Sequence, residues 1–371
     1  MKLDEATSYL ARHICSMFYR HIVSAKARHS ACCSTKSRCR LSCFQVHPSK
    51  SISMSAGFFP KSESLEVNEL WKGLITASHI LHYHRVLDAY GHISVRNPDN
   101  ANTFYMTRKV APALASRGED IVEYKVEDAT PVQSNAPDGF IERYIHSEIY
   151  KRFPSMNCVI HSHCREILPY CINDIPLQAV IHQAGFIGSR APVWDISSTY
   201  STFSSSDPYD LLVRNTSIGS SLAAEFKPST SAGFIFSQMK SALPNIAGKS
   251  SNNTSVPSYA VVLMRGHGFT TCAEGIEAAV YQAIYTKENA IVQTTALNMK
   301  NAVSGSTIEG KVDVEGSGKI KDGKLKSDKG LRGLSDKEIA DTVKMNQESM
   351  MRPWELWCRE VEVQPLYINE C

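Results

Sequence analysis

The stretch "NCVIHSHC", running from Asn157 to Cys164, constrains this chain more than any other. Its centre is apolar and β-branched, which suits a buried strand. Yet it carries two imidazoles, His161 and His163. Strand side chains alternate faces, so residues two apart share one, with backbones about 7 Å apart. Two histidines so placed either sit on a solvated sheet face or converge on one divalent ion. A third histidine weights that choice. In "VVLMRGHGFTT", His267 directly follows a second apolar run and lies between Gly266 and Gly268. Glycines there permit a sharp turn and close backbone approach. A histidine held at such a turn can complete a ligand set drawn from different strands; the plainer alternative is an ordinary strand end with an incidental histidine. Three neutral imidazoles leave an open position on zinc, which a catalytic site needs.

The elements around these histidines read as an α/β domain. "LEVNELWKGLITASHILHYH" spaces Leu70, Leu74, Ile75, Ile80 and Leu81 as one face of a helix. "GHISVRNPDNANTFYMT" predicts a hairpin, with turn residues from Asn97 to Asn102. "DIVEYKV", "PLQAVIHQAGFIG", "APVWDI" and "YAVVLMRGHG" predict further strands. Pro137-Asp138-Gly139 opens a helix with Asp138 as its N-cap and Ile141, Ile145, Ile149 and Phe153 on one stripe, stopped by Pro154. "DLLVRNTSIGSSLAAEF" and "GIEAAVYQAIYTKENAIVQTTAL" read as helices.

Composition sets the limits. With 371 residues, 43% of them hydrophobic, the chain has length for a substantial core. A net charge of +3 offers no concentrated basic face for nucleic acid. The absence of any run of eighteen apolar residues excludes a membrane-spanning helix. Eleven cysteines, an odd number without a C-x2-C pair, fit reduced thiols in a cytoplasmic protein better than a disulfide framework. Residues 1–62 stand apart: from Ala6 to Ser62 there are nine Lys or Arg and no Asp or Glu. That leader reads as a disordered basic tail, or as a mitochondrial transit peptide. The domain proper spans 63–300, with a polar insertion at 227–257. A Gly-, Ser- and Lys-rich linker covers 301–333, and 334–371 forms a C-terminal segment. Its "MRPWELWCREVEVQPLY" holds two of the four tryptophans, aromatic surface suited to docking on the core or a neighbouring subunit.

One helix before the H-x-H strand lies Glu142, with His146 one turn further along. A carboxylate packed beside a metal strand could act as general acid/base, although most helix carboxylates are simply solvated. "FIERYIHSEIYKRFPSMNCVIHSHC", "LMRGHGFTT" and "GHISVR" together resemble the class II aldolase and adducin head-domain family over roughly residues 65–300. The likeness is strongest to the aldolase-like and adducin-like proteins of fungi. It implies a central, mostly antiparallel sheet flanked by helices on both faces, assembled as a cyclic homotetramer. It further implies His161, His163 and His267 as zinc ligands, Glu142 as the catalytic acid/base, and a small hydroxy-carbonyl substrate cleaved or epimerised through a metal-stabilised enediolate.

The chain departs from the sugar-phosphate members of that family at several points. Phe140 and Ile141 precede Glu142 where hydroxyl residues are expected, His92 stands where Asn follows Gly, and "MTRKVAP" lacks the glycine of a phosphate loop. Thr107, Arg108, His92 and His182 are the substrate-binding candidates. Arg108 could pair with a substrate carboxylate or belong to a solvated basic loop. His182 could face the pocket or sit in the core. Arg96 is expected in a structural ion pair. The competing function is an adducin-like binding protein of the actin cytoskeleton, which has no physical need for three convergent histidines and a carboxylate. Iron(II) or manganese could replace zinc, but two histidines with one carboxylate would be the commoner iron signature.

Overall fold

The computed structural model describes residues 67–228, 256–305 and 331–371. The basic leader, most of the polar insertion and most of the linker lie outside them. In chain order come α1 (Val67–Tyr83), β1 (His92–Arg96), β2 (Thr103–Thr107), β3 (Ile121–Lys125), α2 (Arg143–Arg152) and β4 (Cys158–Ser162). Then follow the single-turn α3 (Leu168–Cys171), β5 (Val193–Trp194), α4 (Thr216–Glu225), β6 (Val261–Met264) and β7 (Gly268–Ala273). The long α5 (Ile276–Gly305), α6 (Asp336–Ser349) and α7 (Met351–Glu362) complete the order.

The strands form one seven-stranded sheet in the order β3-β2-β1-β4-β7-β6-β5. Every neighbouring pair is antiparallel except β5 with β6. The expected mostly antiparallel α/β sheet is thus present. Register decides what each face carries. His92 pairs with His161, and His161 with Thr270, so these three share a face with Ser94 and Val159. Helix α2 covers that face, through His146 on His92 and Tyr150 on Ser94. The opposite face carries Ile93, Ile160 and Thr271. It is covered by α5, where Gln282 accepts from the Thr271 hydroxyl, and by α1, which packs on β1. In α1 the spacing of Leu74, Ile75, Ile80 and Leu81 buries all four completely, each such side chain contributing roughly 1.5–3 kcal/mol.

Four sequence expectations fail in instructive ways. "PLQAVIHQAGFIG" joins no ladder. Asn289 and Gln293 of α5, buried side chains both, take over its backbone groups instead. Asn289 Oδ1 accepts from Val180 N–H at 2.8 Å and its Nδ2 donates to the Gln178 carbonyl at 2.8 Å; Gln293 Nε2 donates to the Pro176 carbonyl at 2.8 Å. A helix amide thus does the work of a neighbouring strand. Asp138 is not an N-cap: α2 starts at Arg143, with Glu142 at the cap position. Gly139 lies so close to the Tyr124 hydroxyl that a Cβ there would collide with it, and residues 136–140 form no helical turn. Ile141 consequently falls outside the helix and is exposed. Among the described residues Arg96 forms no ion pair; it donates to the carbonyls of Met156, Ala101, Tyr150 and Phe153 and lies over the Tyr150 ring at 4.6 Å.

The C-terminal helices pack on this unit. Ser335 and Glu338 form a reciprocal capping box at the start of α6. Trp357 of α7 is buried against His84 and Tyr285, and Tyr367 stacks on His79 with ring centroids 5.1 Å apart. Among the described residues no helix is long and apolar enough to cross a membrane.

Candidate metal centre

Three separate segments deliver the polar groups of the site. His161 is the penultimate residue of β4, and His163 continues the same line just past the strand end. His267 occupies the β6–β7 turn. Both of its glycines are required there. Gly266 has φ +66°, in the left-handed region. At Gly268 a Cβ would collide with the Ser162 carbonyl of β4. That close approach is what brings the turn histidine beside the H-x-H segment. Glu142 comes from the start of α2. Its helix packs so tightly on α4 that a Cβ at Gly219 would meet the Tyr144 carbonyl at 2.5 Å.

The four side chains converge. His163 Nε2 lies 3.0 Å from His161 Nε2 and 3.1 Å from His267 Nε2. Glu142 Oε2 lies 3.4 Å from His267 Nε2, 3.5 Å from His161 Nε2 and 3.9 Å from His163 Nε2. All four ligand atoms fall within 4.8 Å of one another. His161 and Glu142 are buried, while His163 and His267 are partly open.

This donor set fits a divalent cation. Neutral imidazoles present either a proton or a lone pair at Nε2, and three such atoms facing inward cannot all be satisfied by one another. Tetrahedral donors about 2.0–2.1 Å from zinc stand roughly 3.3 Å apart, close to the separations observed. The outer contacts prepare the ligands for this. Thr270 Oγ1 lies 3.3 Å from His161 Nδ1 and donates its own proton to Met264 Sδ. It therefore accepts from His161 Nδ1–H, which leaves a lone pair on Nε2. Asp88 Oδ1, fixed by the N–H groups of Tyr90 and Gly91, lies 3.7 Å from His163 Nδ1. Val213 N–H donates to Glu142 Oε1 at 3.0 Å, turning Oε2 toward the imidazoles.

The chain matches the family model described as class II aldolase and adducin N-terminal domain over residues 72–294. The chain belongs to the class II aldolase and adducin family. Within the wider set of relatives, it is 40% identical over 295 residues to decarboxylase tropJ of Talaromyces stipitatus, covering 80% of this chain and 95% of that protein. Two solved structures share the family fold. The L-fuculose 1-phosphate aldolase from Glaciozyma antarctica PI12 gives a TM-score of 0.52 at 16% identity, over 84% of this chain and 96% of that one. An aldolase II superfamily protein from Pseudomonas syringae gives 0.51 at 16%, over 82% and 97%.

Electrostatics within this class II aldolase fold separate the carboxylate from the imidazoles. Burial alone would raise the Glu142 carboxyl, but the three facing histidines outweigh it and hold the group well below the usual carboxylate range. Burial lowers His161 to about 4. Glu142 is therefore an ionised proton acceptor beside a neutral His161.

The remaining candidates distribute differently. His92 is buried beside the centre, its ring centroid 5.2 Å from that of His161 and 4.7 Å from that of Phe140. Thr107 is buried, but Met106 pairs with Ser94, so strand alternation turns Thr107 to the other face of the sheet. Arg108 is paired within the chain, its Nε donating to Asp120 Oδ1 at 2.8 Å. His182 is exposed in a 3₁₀ turn (His182–Ile187) and offers its carbonyl to Asn346 of α6. Its exposure departs from the core position that the apolar run suggested, because the segment that carries it is held by α5 and not by a sheet. Sequence reasoning missed Thr270, Asp88 and the Val213 amide. The only available signal was register, since Thr270 lies opposite His161.

Proposed function

We propose that this chain is a divalent-metal lyase that breaks a carbon–carbon bond next to a carbonyl group in a small oxygenated substrate. The observation that carries this is the convergence of Glu142, His161, His163 and His267, whose ligand atoms lie within 4.8 Å of one another. His161, His163 and His267 would hold the ion, with zinc the best match to three imidazoles and ferrous iron or manganese the alternatives. When bound, such an ion supplies a Lewis acid that polarises a carbonyl and favours negative charge on its oxygen.

The chain's own residues account for the proton. In aldol-type cleavage Glu142, ionised at rest, accepts the proton of the substrate hydroxyl at Oε2, the electron pair of the breaking bond moves into the adjacent carbonyl, and the proton on Glu142 returns to the carbon that lost its substituent. In decarboxylation the substrate carboxylate is already ionised and gives up no proton: the electron pair of the breaking bond moves into the adjacent carbonyl as carbon dioxide leaves, and the carbon takes its proton from a water molecule oriented by Glu142. The likeness to decarboxylase tropJ favours loss of carbon dioxide. The commitment of Arg108 to Asp120 and the turning away of Thr107 argue against a phosphorylated substrate. An adducin-like role confined to assembly has no use for the four-group cluster, and a homotetramer is compatible with either role.

The reading is tested by metal analysis of the purified full chain, followed by incubation with β-keto acids and with hydroxy-aldehydes and ketoses. The expected result is about one equivalent of metal per chain, with carbon dioxide released from the first group. Glu142→Gln should keep the metal and lose roughly 10²–10⁴-fold in turnover. A wild type that binds no divalent metal, or Glu142→Gln with full turnover, would rule the mechanism out.

A further inference from the structure

Behind the metal centre runs a line of buried polar side chains that the proposed reaction leaves unused. Tyr150 Oη lies 2.7 Å from Ser94 Oγ, Ser94 Oγ lies 2.6 Å from His146 Nδ1, and His146 Nε2 lies 2.7 Å from His92 Nδ1. Ser94 and His146 are fully buried, and Tyr150 and His92 are no more than 2% exposed. The line ends at His92, against the ring of the ligand His161. Polar groups at such depth are costly unless every member is satisfied.

The direction of the protons along this line follows from its distances. Ser94 Oγ faces His146 Nδ1 at 2.6 Å and His146 Nε2 faces His92 Nδ1 at 2.7 Å, so at each contact one atom holds the proton and the other accepts it, and the direction at one contact fixes the next. Two arrangements remain. In one, Ser94 donates to Tyr150, and the phenol must find another acceptor. The acceptor within reach is the Asn157 carbonyl at 3.5 Å, which already accepts from Arg96 N–H at 2.8 Å. In the other, Tyr150 donates to Ser94, Ser94 to His146 Nδ1, and His146 Nε2–H to His92 Nδ1. All three bonds are then 2.6–2.7 Å and no donor is left on a long contact. With Nδ1 of His92 accepting, its single proton resides on Nε2, the ring's remaining polar atom.

We propose that Tyr150, Ser94 and His146 are positioning residues that lock His92 in the Nε2–H tautomer, making it a fixed, neutral hydrogen-bond donor to a negatively charged substrate oxygen at the metal centre. The substrate half of this inference rests on the lyase reading above. It also identifies the class of ligand: a small planar oxyanion, such as an enediolate or a carboxylate, which a neutral donor stabilises without competing for the metal. The spread of donor strength is favourable here, since hydrogen bonds to charged groups are the strong ones.

The tautomer can be read directly. Two-bond 1H–15N spectra of the 15N-histidine-labelled full chain, with the His92 signals assigned through His92→Phe, should show a pyridine-type Nδ1 and a pyrrole-type Nε2. Ser94→Ala should collapse that preference, and Ser94→Thr, which keeps the hydroxyl, should restore it. The binding half uses oxalate as the probe, titrated calorimetrically into the zinc-loaded chain. Ser94→Ala and His92→Phe should each weaken oxalate roughly tenfold to a hundredfold while zinc content stays at the wild-type level. A proton on His92 Nδ1 in the wild type would overturn the relay, and no variant need fold for that result. Unchanged oxalate affinity in Ser94→Ala with zinc retained would overturn the donor role. Failure of the wild type to bind any of zinc, ferrous iron or manganese would instead remove the lyase reading and the substrate half with it, while the wild-type tautomer would still decide the relay.

Discussion

Two groups of histidines can be compared within this molecule. On α1 and just after it, His79, His82 and His84 each find a separate partner: the Ala115 carbonyl at 2.8 Å, the Tyr367 hydroxyl at 2.9 Å and the Glu360 carboxylate at 3.1 Å. In the sheet, His161, His163 and His267 have their Nε2 atoms turned on one another and on Glu142. Both groups are dense, and both lie near the fold's main helices. The first is satisfied by the protein alone and fastens the C-terminal segment. The second is arranged so that it could hold a shared cation. Density of imidazoles therefore says little; whether their free nitrogens diverge or converge separates a structural cluster from a ligand set.

The sharpest way to break this distinction is to remove one member of each group. His161→Ala should weaken zinc binding by more than about a hundredfold, since even outer-shell losses reach that range. His84→Ala should leave zinc binding within about twofold, since its imidazole contacts Glu360, Trp357 and Tyr83, none of them in the convergent set. Equilibrium dialysis against a competing chelator measures both. Equal losses in the two variants would mean that the convergent set is not the metal site.

The converse experiment asks whether the first group is purely structural. Trp357 is 5% exposed and packs on His84 and Tyr285. Trp357→Ala should destabilise the chain by about 3–5 kcal/mol in urea unfolding, with metal stoichiometry intact. Loss of the metal at a temperature where the variant is still folded would show that the C-terminal helix supports the centre.

What the sequence reveals follows the same division. Residues whose type already carries chemistry were legible: His161 and His163 from strand periodicity, His267 from its flanking glycines, Glu142 from its place before the strand. Groups that act by position were not. Thr270 is an ordinary strand residue until register sets it beside His161. The Val213 amide has no side-chain signature at all. Asn289 and Gln293 look like solvent-facing helix residues, yet they hold an extended segment in place of a strand. Thr107 shows the converse: its type suits an anion, but one residue of strand phase turns it to the face away from His161.

Acid should sharpen the comparison further. Burial lowers His79, His82 and His84 below their unfolded value of 6.5. The unfolded chain then binds more protons than the native one between 6.5 and each lowered folded value. Stability is full above 6.5 and is lost as pH falls through that window, at up to about 1.4 kcal/mol per pH unit for each imidazole. Urea titrations of the zinc-loaded protein at a series of pH values should show this slope, and His79→Gln should reduce it. A slope of the opposite sign would mean that the charged forms are the ones stabilised in the fold.

The smallest expected effect concerns Arg108, which sequence reasoning left between substrate and solvent and which the fold pairs with Asp120. That pair resembles the divergent histidines: one donor, one acceptor, each satisfied locally. Its two halves differ in environment. The Arg108 side chain is 40% exposed, whereas that of Asp120 is 4% exposed. Asp120 also accepts from the Ser116 and Arg117 amides, so it keeps partners when the guanidinium is removed. Arg108→Ala should therefore cost no more than about 1 kcal/mol and should leave oxalate affinity unchanged in the zinc-loaded chain. Asp120→Ala should cost more, because it strands the Ser116 and Arg117 amides that donate to it; a ranking in the reverse order, or a loss of oxalate binding in Arg108→Ala, would move the guanidinium into the substrate site.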